Sequence, residues 1–183
     1  THTFPEEEKY VDLAYARRAY SLFAADMAKG GTTRAAVFAT AHVPATLLLM
    51  DLLEDTGLIT RVGKVNMDDN ATPGLKEESA EKSLSDTKAW LAASGKYTRT
   101  KPILTPRYIP NCSRKLWAML ADLQKQTGLP VQSHLSENQS EVAWIKELYP
   151  EAETYAHAYY QHGMLGGDVP TIMAHCVWSD DAE

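Results

Sequence analysis

The sequence predicts an α/β protein made of parallel β–α units, and three observations carry that expectation. Short strand-like runs of roughly four to eight residues alternate with helical stretches along the chain. The intervals between runs are long enough for the crossover helix that parallel pairing requires. Residues able to do chemistry fall at the C-terminal ends of several successive runs, which is where a (β/α)₈ barrel places them. An open doubly wound sheet is the other arrangement. No Gly-x-Gly-x-x-Gly or Gly-x-x-x-x-Gly-Lys-Ser/Thr turn supports a nucleotide-binding form of it. A whole barrel takes about 250 residues. Five strands in 183 residues therefore predict one partial barrel domain over 1–183, with flanking strands missing at both ends.

The elements follow in order. Three glutamates after Phe4-Pro5 suit the positive end of a helix dipole, and that long helix is expected to stop at Gly30-Gly31. Its expected apolar face is Val11, Tyr15, Ala19, Leu22, Phe23 and Met27. A strand over 34–40 and a helix over 47–54 closed by Gly57 come next, then a strand over 61–67. The polar loop 68–74 leads to a charged helix over 77–93. The strand over 100–108 is interrupted by Pro102, and Pro106 ends its pairing. Ser113 caps a helix with Leu116, Met119, Leu120 and Leu123 on one side, closed by Gly128. Strands ending at His134 and His175 flank a helix begun by Asn138-Gln139-Ser140-Glu141, a capping-box-like start, and a shorter helix over 155–164.

Composition excludes several classes. Hydrophobic content of 44% and charged content of 23% belong to an ordinary globular protein. A net charge of −6 without a basic stripe argues against nucleic acid as a partner. The longest apolar run, around Ala45 to Met50, is too short to span a bilayer. Two cysteines without framework spacing, Cys112 and Cys176, predict a reduced, cytoplasmic protein. The start has neither a basic nor an apolar leader segment and no initiator Met, so a central segment of a longer protein is expected.

The chemistry concentrates in Pro130-Val131-Gln132-Ser133-His134-Leu135-Ser136-Glu137-Asn138. Here a strand ends on a histidine, and a carboxylate follows three residues later. Thr171-Ile172-Met173-Ala174-His175-Cys176 ends on a second histidine, 41 residues on. Gln132 and His134 share one face of their strand, and Thr171, Met173 and His175 share one face of theirs. Glu137 joins His134 only where the strand ends and the loop curls over. Two imidazoles and an acid are parts of a hydrolytic metal site. A single strand-end histidine is more often a hydrogen-bonded core or surface residue; two on nearby strands with His-x-x-Glu shift the balance without completing a site. His42 reads as an exposed loop residue, His157 and His162 as surface, and Lys101 as a paired structural lysine. Arg107 and Tyr108 taken alone read as a surface ion pair and a core aromatic. Cys176 is a poor partner for His175, since adjacent strand residues face opposite ways.

These stretches, with Lys101-Pro102-Ile103-Leu104-Thr105-Pro106-Arg107-Tyr108, Gly30-Gly31-Thr32-Thr33, Phe38-Ala39-Thr40 and Val62-Gly63-Lys64-Val65-Asn66-Met67-Asp68, resemble the guanine deaminases of the amidohydrolase superfamily. The resemblance runs over essentially the whole chain and in the same order. It implies a metal-dependent hydrolase barrel, of which about strands 2 to 6 are present, holding one catalytic Zn²⁺. It implies His134 and His175 as zinc ligands, Glu137 as the proton-shuttling acid, and Arg107 with Tyr108 as the pair that contacts the purine. The family commonly has Phe where Tyr108 stands. Conversion of guanine to xanthine and ammonia is the implied activity, and a homodimer the implied assembly. The family's His-x-His pair and later aspartate have no counterpart here; His2, in Thr-His-Thr, is the only histidine before His42. An inert folded segment, and an amidohydrolase acting on a triazine or another nucleobase, are the alternative expectations.

Overall fold

The computed structural model describes residues 3–183, so His2 lies outside the described residues. Helix α1 (Thr3–Glu8) and a 3₁₀ turn (Lys9–Val11) precede α2 (Leu13–Lys29). Then come β1 (Arg34–Phe38), α3 (Val43–Thr56), β2 (Ile59–Gly63), β3 (Val65–Asn66) and α4 (Ala80–Ala93). β4 (Thr100–Pro102) and β5 (Thr105–Pro106) lead to α5 (Arg114–Thr127), β6 (Val131–Leu135), α6 (Gln139–Leu148), α7 (Tyr155–Gln161) and β7 (Thr171–His175). Capping side chains set four of the helix starts. Ser79, Ser113, Asn138 and Thr154 each accept a hydrogen bond from the backbone N–H three residues ahead. Gly57 and Gly128 end α3 and α5 with left-handed backbone, at φ 76° and 65°.

Every strand pairing is parallel. β2 and β3 act as one strand interrupted at Lys64, and β4 and β5 as one interrupted at Ile103-Leu104; Pro102 and Pro106 have no N–H to donate. β1 pairs with β2, β2 with β4, β3 with β5 and β6 with β7, while a bridge from Leu104 to Val131 joins the third strand to the fourth. Spatial order therefore equals chain order. A doubly wound sheet reverses direction at a switch point, whereas a barrel winds onward, so this order is barrel-like.

Curvature shows in contacts that skip strands. The Gln132 amide on β6 donates to the Val37 carbonyl on β1 at 3.0 Å and to the Thr105 hydroxyl at 2.9 Å. The Phe38 and His134 rings lie 4.4 Å apart. A flat sheet would hold β1 and β6 three strand spacings apart. Gly63 is what lets the concave face close: a Cβ there would sit 1.6 Å from the Thr105 hydroxyl oxygen. On the outer face, one apolar cluster packs α2, α3 and α4 on the first strands through Met50, Leu53, Val62 and Trp90. A second joins α5, α6 and α7 to β6 through Trp117, Leu120, Val131 and Tyr159.

Two expectations are corrected. The first helix is not continuous: the Asp12 side chain accepts from the Ala14 N–H at 2.8 Å and starts α2 anew. The restart turns Ala16, Tyr20 and Ala24 inward against α3, while Val11, Leu22 and Phe23 stay exposed. His162 is half-buried rather than on the surface. It stacks on Trp117 at 5.2 Å and meets the Tyr149 hydroxyl at 3.0 Å. Lys101 does find a partner, donating to the Tyr97 carbonyl at 2.6 Å. Among the described residues no helix is long and apolar enough to cross a membrane.

The β3–α4 loop is tied down by a buried ion pair. The Lys64 side chain is 0% exposed and meets the Glu77 carboxylate, which also accepts from the Met67 N–H at 3.0 Å and from the Ser83 hydroxyl. Removing one partner strands a buried charge, so Glu77→Ala is expected to cost about 3–5 kcal/mol. Lys64→Met combined with Glu77→Leu should recover most of that loss, as read by denaturant titration. His162 gives a pH signature. Burial, assisted by the nearby Arg114 charge, lowers its pKa from 6.5 to about 4. The unfolded chain binds this proton more readily, so the contribution is complete above about pH 6.5 and is lost as pH falls toward about 4. The Tm advantage of wild type over His162→Phe should shrink between about pH 7 and pH 5; a constant difference would contradict this assignment.

Candidate active site

The C-terminal ends of β5, β6 and β7 converge on a cavity of about 400 Å³ lined by Arg107, Tyr108, His134, Glu137 and His175. All five candidate residues are thus brought together. β6 supplies His134 directly. Its Nδ1 lies 2.7 Å from the Arg107 carbonyl, and a carbonyl only accepts, so Nδ1 carries the proton and Nε2 keeps its lone pair. Burial lowers the His134 pKa, which keeps the ring neutral at physiological pH. The Ser133 hydroxyl reaches the Pro106 and Arg107 carbonyls at 2.7 and 3.0 Å, and the Tyr159 hydroxyl donates to the His134 carbonyl at 2.7 Å. The strand end is therefore held on both sides.

Parallel register sets His175 opposite Leu135 and Ala174 opposite His134. Strict alternation would then send the two rings to opposite faces of the sheet. His175 escapes this through a left-handed backbone, φ 77°, at the last residue of β7. Its ring stacks near that of His134, with centroids 5.3 Å apart and planes 25° apart. Ser136, at φ 48°, makes the matching turn after β6 and carries Glu137 over the sheet. A Glu137 carboxylate oxygen lies 3.8 Å from His175 Nε2. Sequence reasoning required such a curl; the two positive-φ residues are how it is made.

Arg107 is neither a free surface cation nor a simple surface ion pair. Its guanidinium meets the Glu7 carboxylate at 2.7 Å and lies over the Phe4 ring at 4.7 Å, at 17% side-chain exposure. Tyr108 lines the cavity and meets Trp144 edge-on, with centroids 6.3 Å apart. Phe4, Glu7 and Glu141 were missed from sequence. Glu141, lining the same cavity, reads as a capping residue because it sits at the start of α6; burial raises its pKa. Glu7 reads as one of three helix-start acids. Only its contact with a residue 100 positions away gives it a further role. His42 is half-buried at the start of α3, where it lines a different cavity and its Nε2 has no partner.

Two imidazoles side by side, with a carboxylate within 4 Å of one, suit part of a zinc shell. Among the described residues, no group of three or more His, Cys, Asp or Glu side chains is arranged to hold a metal ion. The family profile of the amidohydrolases matches residues 2–183. The chain belongs to the amidohydrolase family. This amidohydrolase is 38% identical over 185 residues to a guanine deaminase of Dictyostelium discoideum, a match covering 100% of the chain and 40% of the relative. It is 37% identical to the Homo sapiens guanine deaminase, covering 95% of the chain and 38% of that protein. It superposes on a guanine deaminase from C. acetobutylicum, solved with bound guanine in the active site, with a TM-score of 0.94. That match has 42% identity and covers 100% of the chain and 43% of the other. Against an atrazine chlorohydrolase from Arthrobacter aurescens TC1 the TM-score is 0.79 at 14% identity, which is a likeness of fold alone. The chain spans about 40% of the length of the curated relatives it matches.

The left-handed turn at Ser136 gives a test. A β-branched side chain there is strained, so Ser136→Val should cost about 1–3 kcal/mol and displace Glu137. Ser136→Gly should stay within about 1 kcal/mol of wild type in thermal denaturation.

Proposed function

We propose that the protein carrying this chain is a zinc-dependent hydrolase that deaminates guanine to xanthine and ammonia. The supporting observation is the meeting of a planar donor, Arg107, with a carboxylate, Glu137, and two imidazoles, His134 and His175, around one cavity. The guanine deaminases among its relatives point the same way. His134 and His175 would hold the metal through their ring nitrogens. Zinc, when bound, would supply hydroxide at neutral pH by lowering the pKa of water from about 15.7 to about 7.

The remaining work falls to side chains of this chain. The Arg107 carbonyl keeps the proton on His134 Nδ1, which leaves Nε2 as the lone-pair donor. Glu137, reaching over from the turn at Ser136, would take a proton from water and return it to the ring nitrogen beside the reacting carbon. The Arg107 guanidinium keeps further N–H groups beyond the one given to Glu7, and these would meet the purine oxygen. Tyr108 adds a ring face on which a flat heterocycle can rest. The same reading takes 1–183 as one partial barrel domain, acting in the cytoplasm on a small-molecule substrate and assembling as a homodimer.

The test is turnover by the complete protein of guanine against adenine, cytosine and a chlorotriazine, following released ammonia. Guanine should be preferred, and its failure to react would exclude this function. Glu137→Gln should lower kcat by about 10²–10⁴-fold with zinc content retained. Chelation should abolish activity, and added zinc should restore it.

A further inference from the structure

Arg107 is usually the residue one would credit with selecting an anion, yet its surroundings argue otherwise. α1 lies across the cavity mouth and grips Arg107 twice, through the Phe4 ring at 4.7 Å and the Glu7 carboxylate at 2.7 Å. Glu7 is itself largely buried, at 13% exposure, and its second oxygen is buried without a hydrogen-bond partner. A carboxylate so placed is costly unless it stays on its cation. α1 is in turn fastened to the β3–α4 loop, where Glu8 accepts from the Thr72 hydroxyl at 2.6 Å and packs against Gly74. Phe4 packs beside Val65, Met67 and Leu75. The grip on Arg107 is therefore anchored to the barrel.

The charge balance follows. The positive charge of Arg107 is matched by Glu7, and the other acidic groups facing the cavity are Glu137 and Glu141. Any charge that a metal on His134 and His175 adds is the same in wild type and in Glu7 variants; what Glu7 decides is that an anionic ligand finds no unmatched guanidinium to receive it. A neutral ligand carrying a carbonyl would still find the free N–H groups of the guanidinium, held in a fixed plane. We propose that Glu7 is a positioning residue that pins the Arg107 guanidinium and sets the cavity's preference for a neutral, carbonyl-bearing heterocycle over an anionic one. The selectivity part rests on Arg107 meeting the substrate; the pinning does not.

The experiment compares wild type with Glu7→Gln, which keeps size and hydrogen bonding but removes the charge, and with Glu7→Ala. Inhibition or binding constants are measured for hypoxanthine, a neutral purine with the carbonyl, and for urate, an anionic one. Glu7→Gln should shift the ratio toward urate by about tenfold, an effect that mere loosening of α1 would not produce. In parallel, phenylglyoxal modification of Arg107 is followed by peptide mass mapping, and Glu7→Ala should speed it several-fold. An unchanged ratio overturns the selectivity role, and an unchanged modification rate overturns the pinning. If neither purine binds wild type, the assignment of Arg107 to substrate falls and the selectivity role with it, while the modification rate still decides the pinning.

Discussion

Across the concave side of the sheet, the Gln132 amide reaches from β6 to the Val37 carbonyl on β1 and to the Thr105 hydroxyl between them. This bridge is the constraint on which the rest depends. It forms only because Gly63 leaves the space under Thr105 empty, and it holds the sheet in a curve that no outer-face packing specifies alone. With the curve in place, the ends of β5, β6 and β7 point to one mouth, and His134 falls against Phe38 instead of facing solvent. Glutamine can bridge in this way because its amide carries two donors, so one side chain joins two strands at once. A leucine at 132 would fill the volume and leave the Val37 carbonyl without this donor, a loss that in a buried setting costs about 1–3 kcal/mol.

Much of this was legible in the sequence, for reasons that differ from element to element. The strands that carry His134 and His175 announce themselves as short runs, each opening on a β-branched residue, Val131 or Thr171, after a proline and reaching a histidine near its end. The capped helices were readable because Ser113 and Asn138 act on their own neighbours, within three residues. Local chemistry of that kind does not depend on the fold. The break at Asp12 is local too, but periodicity outweighed it: apolar residues at Val11, Leu22 and Phe23 suggested one long face, whereas packing against α3 selected the smaller Ala16 and Ala24. What could not be read was anything fixed by long-range pairing. Glu7 on Arg107, Phe38 on His134 and His162 on Trp117 depend on which elements meet, and spacing along the chain carries no trace of that.

The proposed site also shows how a parallel pair can break its own alternation. Register alone assigns His134 and His175 to opposite faces. Left-handed backbone at Ser136 and His175 brings both the acid and the second imidazole to one side. Non-glycine residues in that region carry conformational strain, and such strain persists only where surrounding contacts enforce it. Here the Leu135 carbonyl receives the Cys176 N–H at 2.8 Å and the Ser136 carbonyl the Trp178 N–H at 2.9 Å, locking the two strand ends to each other.

Arg107 enters this arrangement through two separate groups. Its carbonyl orients His134, whereas its guanidinium lies under Phe4 and against Glu7. Every amino acid has a carbonyl, so the orienting contact is indifferent to what side chain stands at 107. A lineage could exchange the arginine while the imidazole one strand away stayed in register; if Arg107 meets the substrate as proposed, the ligand recognised would change with it. Under the proposed roles, recognition and chemistry would be inherited separately at a single position. That separation would let one barrel serve many heterocycles by drift at its rim.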